Sequence, residues 1–238
     1  MEKLVYVLWR PADVEPVTLE QWLLDDAGPA LLAFPEVRGL RLTIEDPEGS
    51  WMRRGTGPDG ALIAATVSAW LPSIDDREPI SLVMAEAPAV HHTYLVTESV
   101  PLDYGPRRTW KDGERTPGRS ITTVFDKRAD ISEEGFFGIW HGEHTPLTFE
   151  IHPVWSYVRN SAWRALSTGA PPLRAIVYES VPEPEDLYDL HRFFGSGGDK
   201  DELKRRIARV DAHVATFADT KSLETTPTNE WILRSLSA

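Results

Sequence analysis

The feature that most constrains this chain is a half-length pattern that occurs twice. Trp22 and Trp140 stand 118 residues apart, as do Pro35 and Pro153, and Arg41 and Arg159. The runs ahead of the two tryptophans also agree, with Val5-Tyr6-Val7-Leu8-Trp9-Arg10-Pro11-Ala12-Asp13 in one and Thr123-Val124-Phe125-Asp126-Lys127-Arg128-Ala129-Asp130 in the other. In a chain of 238 residues that offset is close to half the length, and self-similarity at a fixed offset reads as an ancient duplication. Between the aligned tryptophans and prolines the second copy carries His141, His144 and His152, where the first has Leu23, Asp26 and Phe34. An active site is therefore expected in the second half.

Apolar alternation and turn residues predict strands over residues 4–9, 37–44, 61–71 and 91–100, with helices over 18–34 and 75–87. Residues 46–60 read as a long Gly/Pro-containing connection. The second half repeats the order, with strands over 120–126, 155–164, 173–181 and 223–226 and helices over 132–151, 182–193 and 200–217. Ser132-Glu133-Glu134 supplies a helix N-cap followed by acidic residues that complement the positive end of the dipole. The order β-α-β-β-α-β is that of a ferredoxin-like unit. The expectation is an α+β protein in which two ferredoxin-like halves, 1–101 and 120–238, pack sheet to sheet as an intrachain α+β barrel. Residues 102–119, rich in Gly, Pro and charge, read as the linker between them.

Composition narrows the function classes. Forty-one per cent hydrophobic and 26% charged residues suit a folded globular chain. A net charge of −12 lacks the basic patch that binding to phosphate backbones requires, so nucleic acid is not an expected partner. The absence of cysteine removes disulfides, thiolate metal sites and a cysteine nucleophile. The N-terminal residues lack the pattern of a secretory leader and no apolar run reaches about 20 residues, so a cytoplasmic protein without membrane contact is expected. No G-x-S-x-G elbow occurs. Gly195-Ser196-Gly197-Gly198-Asp199-Lys200 departs from the P-loop pattern and reads as a flexible loop.

The densest constellation is Phe136-Phe137-Gly138-Ile139-Trp140-His141-Gly142-Glu143-His144-Thr145-Pro146-Leu147, followed by Glu150, His152 and Pro153. On an α-helix His141 and His144 share a face, and imidazoles suit proton transfer near neutral pH. Strand alternation places Trp155, Tyr157, Arg159 and Trp163 on one face, a set that suits a planar, oxygenated ligand. The candidate catalytic residues are His144, His141 and His152. The candidate substrate-binding residues are Trp140, Trp155, Tyr157, Arg159 and Trp163. Plainer roles stand beside these: helix capping near Pro146 for His144, a surface position for His141, and shaping of the turn before Pro153 for His152. A metal site built from His141, His144 and Glu150 or His152 is not expected, because the i, i+3 spacing is less usual for metal than i, i+4.

These residues carry a resemblance. The strand 121–125, Glu134-Gly135-Phe136-Phe137 leading to Trp140-His141, His144-Thr145-Pro146-Leu147, and Tyr157-Val158-Arg159-Asn160 resemble the EthD family of dimeric α+β-barrel proteins, with His144 the best match to the family histidine. The first half resembles it only as a copy without the histidines. The resemblance implies a barrel that binds small organic molecules, as a monomeric pseudo-dimer or a homodimer, with no organic cofactor. It implies a lyase, dehydratase, cyclase or decarboxylase acting on an aromatic or polyketide-like substrate by histidine acid/base catalysis. The alternatives are a cofactor-free or haem-dependent monooxygenase and a non-catalytic carrier of hydrophobic metabolites.

Overall fold

The computed structural model describes residues 1–52 and 61–236, so the connection expected over 46–60 lies, from residue 53 onward, outside the described residues. The first half runs β1 (Glu2–Arg10), α1 (Pro16–Gln21), a π-helical segment Trp22–Ala27, α2 (Gly28–Leu32), β2 (Gly39–Glu45), β3 (Leu62–Leu71), α3 (Glu78–Met84) and β4 (Val90–Leu102). The second runs β5 (Arg119–Phe125), α4 (Glu133–Ile139), a π-helical segment Trp140–His144, α5 (Thr145–Ile151), β6 (Ser156–Ala165), β7 (Ala175–Val181), α6 (Pro184–Tyr188), α7 (Leu190–Phe193), α8 (Lys200–Phe217) and β8 (Glu224–Arg234).

The strands correct the expected architecture. They do not form two ferredoxin-like halves stacked sheet to sheet but one closed, eight-stranded antiparallel barrel in the order β1-β3-β2-β8-β5-β7-β6-β4. Two seams close it: β2 pairs with β8 from Leu40↔Arg234 to Glu45↔Thr228, and β4 pairs with β6 from Tyr94↔Ala165 to Leu102↔Tyr157. The physical reason is edge chemistry. Separate sheets leave rows of backbone donors and acceptors unpaired, and closure removes every such edge. β8 is longer than the expected 223–226 because Pro227 does not end it. Pro227 lacks an N–H, yet its carbonyl accepts from the Asp46 N–H at 2.8 Å and the strand continues to Arg234.

Strand alternation then sorts the side chains. Val5, Val7 and Trp9 of β1 pack with Ile63, Tyr94, Val124, Val158, Ile176 and Tyr178 inside the barrel. Leu4, Tyr6 and Leu8 face outward onto Leu19, Leu23 and Leu31 of the first half's helices, which fill that space. On the second half's outer face the matching layer is aromatic: Phe125, Phe136, Trp140, Tyr157 and Phe217.

Each tryptophan of the 118-residue pair opens a π-helical segment. In the second half the widened turn is closed by the Thr145 N–H donating to the Trp140 carbonyl, five residues back. Pro146 and Pro29 follow these segments. A proline inside a helix offers no N–H and its ring crowds the carbonyl four residues earlier, which in these places belongs to Gly142 and Asp25. A wider turn relieves that crowding.

Candidate functional site

Between the barrel's outer face and the helices of the second half lies a cavity of about 370 Å³, within the range of roughly 300–1,000 Å³ usual for small-molecule sites. All of its lining falls between Ile121 and Thr225. The floor is Ile121, Thr123 and Phe125 of β5, Tyr157 of β6, and Val177 and Glu179 of β7. The roof is α8, whose Ile207, Val210, Val214 and Phe217 recur at helical spacing and form an apolar stripe facing inward. The Asp199 side chain caps α8 by accepting from the Asp201 and Glu202 N–H groups. The glycine loop before it turns through Gly195, Gly197 and Gly198, all at positive φ.

The π-helical segment decides which histidine enters the cavity. His144 lines it and is buried, its ring 5.0 Å from Phe217 and 5.3 Å from His213, centre to centre. Its Nδ1 is buried and has no hydrogen-bond partner among the described residues. His141 does not line the cavity. It packs against Trp140 at 4.6 Å and Phe137 at 5.2 Å, because the wider turn breaks the α-helical i, i+3 alignment. His152 sits at the cavity wall beyond α5, in the extended conformation that a following proline favours. Its Nδ1 lies 3.0 Å from the Phe193 carbonyl, and its ring stacks on Phe193 at 4.1 Å. A carbonyl only accepts, so Nδ1 carries the proton and Nε2 holds the lone pair.

Burial dominates the electrostatics. Desolvation, then His213 and His152, push His144 down to about 3. Desolvation takes His152 down to about 4, and desolvation with Arg159 takes His141 to about 4. All three imidazoles are neutral at pH 7.

Of the other candidates, Trp140 and Tyr157 line the cavity. Trp155 does not, and stacks on Trp110 at 5.8 Å and packs on Tyr104 at 5.4 Å. Arg159 lies beside the wall, its Nε donating to Ser99 Oγ at 3.0 Å and its guanidinium to Thr145 Oγ1 at 3.1 Å. Trp163 is 60% exposed, with Nε1 donating to Thr97 Oγ1 at 2.6 Å. It lies six residues along β6 from Tyr157, about 20 Å at the rise of an extended strand, so sharing a face does not bring it to the same site.

The group that sequence reasoning missed is Glu179. It stands in register between Tyr157 of β6 and Ile121 of β5 and faces the cavity. No hydrogen bond or ion pair reaches its carboxyl among the described residues, and desolvation pushes it up to about 7. Burial, then the Glu179 charge, raises the Tyr157 phenol, which stays protonated. The signal available in the sequence was a lone carboxylate in the otherwise apolar outer face of the strand, Ala175, Val177, Glu179 and Val181.

Among the described residues the lining contains no Lys or Arg and two carboxyl residues, Glu179 and Asp211. That set does not fit haem. His144 would supply an imidazole, but the two propionates would meet acidic residues and no cation. Among the described residues no three His, Cys, Asp or Glu side chains are grouped to hold a metal ion, and no helix is long and apolar enough to cross a membrane.

Solved structures share this fold. An anthrone oxidase-like protein aligns over 100% of this chain and 95% of its own at 12% identity and a TM-score of 0.58. A protein provisionally assigned as a monooxygenase, from Fusobacterium nucleatum, aligns over 98% and 92% at 13% identity and a TM-score of 0.52. The chain is similar to both in architecture. No family model matches the sequence, and no curated protein matches it either. The resemblance to the EthD family therefore rests on its residues alone.

Proposed function

We propose that the protein is an enzyme that takes a proton from a neutral, ring-bearing organic molecule, phenolic or enolisable, held in the second-half cavity. The observation that carries this reading is Glu179, a cavity-facing carboxyl with no hydrogen bond or ion pair among the described residues, pushed up to about 7 by desolvation beside a protonated tyrosine. In its ionised form Glu179 accepts the proton of an acidic C–H or O–H bond, and the electron pair remains on the substrate as an enolate or phenolate. Tyr157 and the neutral His144 face the same space, and the Tyr157 hydroxyl serves as the hydrogen-bond donor to the developing oxyanion. Trp140, Phe217 and the aliphatic stripe of α8 hold the ring. The lack of a lining cation disfavours carboxylate and phosphate substrates.

This step opens several reactions, including the lyase, dehydratase, cyclase and decarboxylase chemistry that the EthD resemblance implies. The fold shared with an anthrone oxidase-like protein supports a second outcome, in which dioxygen is the co-substrate that oxidises the carbanion without an organic cofactor. The residue resemblance and the shared fold both point to small-molecule chemistry.

The test begins with a thermal-shift screen of neutral phenols and polycyclic ketones. Binders are then incubated in D₂O with and without dioxygen. Deuterium entering the substrate in the wild type but not in Glu179→Gln supports proton abstraction, and oxygen consumption selects the oxidative outcome. Tight binding with neither deuterium exchange nor turnover makes the protein a carrier.

A further inference from the structure

We infer that His213 of α8 is the proton exit of the cavity, exchanging protons with His144 and passing them to solvent. His144 and His213 face each other across the junction of the π-helical segment and α8, ring centres 5.3 Å apart and planes inclined by 31°. Both Nδ1 atoms are buried and neither has a hydrogen-bond partner among the described residues. Leaving one such nitrogen unsatisfied costs about 1–3 kcal/mol, so two of them on neighbouring rings call for a reason beyond packing. His144 opens onto the cavity, whereas the His213 side chain is 23% exposed, with Nε2 3.6 Å from the carboxylate of Glu143. The pair thus spans the roof between the cavity and the surface.

The titratable groups around His144 limit how a proton passes. His213 comes from α8, His152 from the end of α5, Tyr157 from β6, Glu179 from β7 and Asp211 from α8. With His144 held neutral by burial, transfer proceeds by tautomer exchange. His144 takes a proton at its cavity-side nitrogen and, when side-chain rotation brings the two rings to hydrogen-bond distance, releases the proton on its other nitrogen to His213, so no lasting imidazolium forms. His213 then gives its proton to water beside Glu143, and Glu179 is returned to the ionised form it needs for the next cycle. His213 is in this sense a positioning residue that acts through His144.

The role in turnover rests on the function proposed above, but the exchange between the two rings does not, so the two can fail separately. In ¹⁵N-labelled full-length protein, NMR reads the exchange of the His144 ring proton with water and the His144 titration, without any substrate. His213→Phe keeps a ring against Phe217 and His144 while removing both nitrogens. The expected result is His144 ring exchange slowed by about a hundredfold, the lower end of what a positioned proton carrier contributes, with the His144 midpoint moved upward because the His213 charge is gone. His213→Gln should slow exchange as well, and serves if the phenylalanine variant does not fold. Unchanged His144 exchange and titration in either folded variant would overturn the inference.

Discussion

Tyr157 and Glu179 are direct cross-strand neighbours on β6 and β7, both aimed out of the barrel into the aromatic layer beneath α8. The pairing sets a phenol and a carboxyl side by side in a space otherwise walled by rings and aliphatic groups. Desolvation in that space pushes the carboxyl up to about 7, and burial followed by the Glu179 charge keeps the tyrosine protonated.

Stability should report this pairing. The folded-state pKa of Glu179 lies above its unfolded value of 4.5, so the folded chain binds more protons between those values. The sign is that stability falls as pH rises from about 4.5 through about 7, by at most about 3 kcal/mol for the cited shift. Glu179→Gln removes the ionisation. It should raise Tm by at least about 3 °C at pH 8, since about 1 kcal/mol moves a domain of this size by 2–4 °C, with little change at pH 5. Equal Tm differences at the two pH values would contradict the desolvation of this carboxyl.

The two cavity histidines should differ in stability. His152 donates Nδ1–H to the Phe193 carbonyl and stacks on its ring, so His152→Ala should cost about 1–3 kcal/mol by leaving that acceptor unpaired. His144 Nδ1 makes no such bond, and His144→Ala should cost less. Urea unfolding of both variants at pH 7 checks the order, and a larger loss at His144 would reverse it.

Pro146 should govern which way His144 points. Pro146→Ala supplies an N–H for the Gly142 carbonyl and removes the ring that crowds it, so the π-helical turn should relax to an α-helix. The chain should stay folded, but His144 should rotate toward the direction of His141 and the affinity for a neutral aromatic probe should drop by about tenfold, the worth of one lost polar contact of about 1.4 kcal/mol. A crystal structure of the variant with the π-helical turn intact would rule this cause out.

What the sequence made readable were local relations. The duplication offset, the Ser132 cap, whose hydroxyl accepts from Gly135 N–H, and most strand positions follow from spacing and turn chemistry within a few residues. Adjacent residues of a strand point to opposite faces, and His91 and His92 of β4 accordingly meet different partners, Tyr6 and Trp9. Closure of the barrel was hidden because the β2–β8 and β4–β6 seams join backbone groups far apart in the chain, and no side-chain pattern records them. The histidines drew attention as a motif, but the π-helical turn splits His141 from His144. Glu179 escaped notice because one glutamate in a strand looks like a solvated position until its neighbours are known.

Binding should separate the cavity from the surface residues that share its strand. Val214→Trp, which projects a bulky ring from α8 into the lining, should abolish binding of a neutral naphthol. Trp163→Ala, on the exposed end of β6, should leave its Kd within about twofold, the scatter expected of a surface change under about 0.5 kcal/mol. The opposite pattern would move the site to the strand end.

The most direct measurement is the titration of the Glu179 side chain itself. Carbon-13 NMR of glutamate-labelled protein, with Glu179→Gln used to assign the resonance, reads the carboxyl shift against pH without any substrate. A midpoint near 7 is the predicted result and leaves Glu179 poised as the proton acceptor. A midpoint near the ordinary 4.5 would mean a solvated carboxylate and would contradict the proposed chemistry of the cavity.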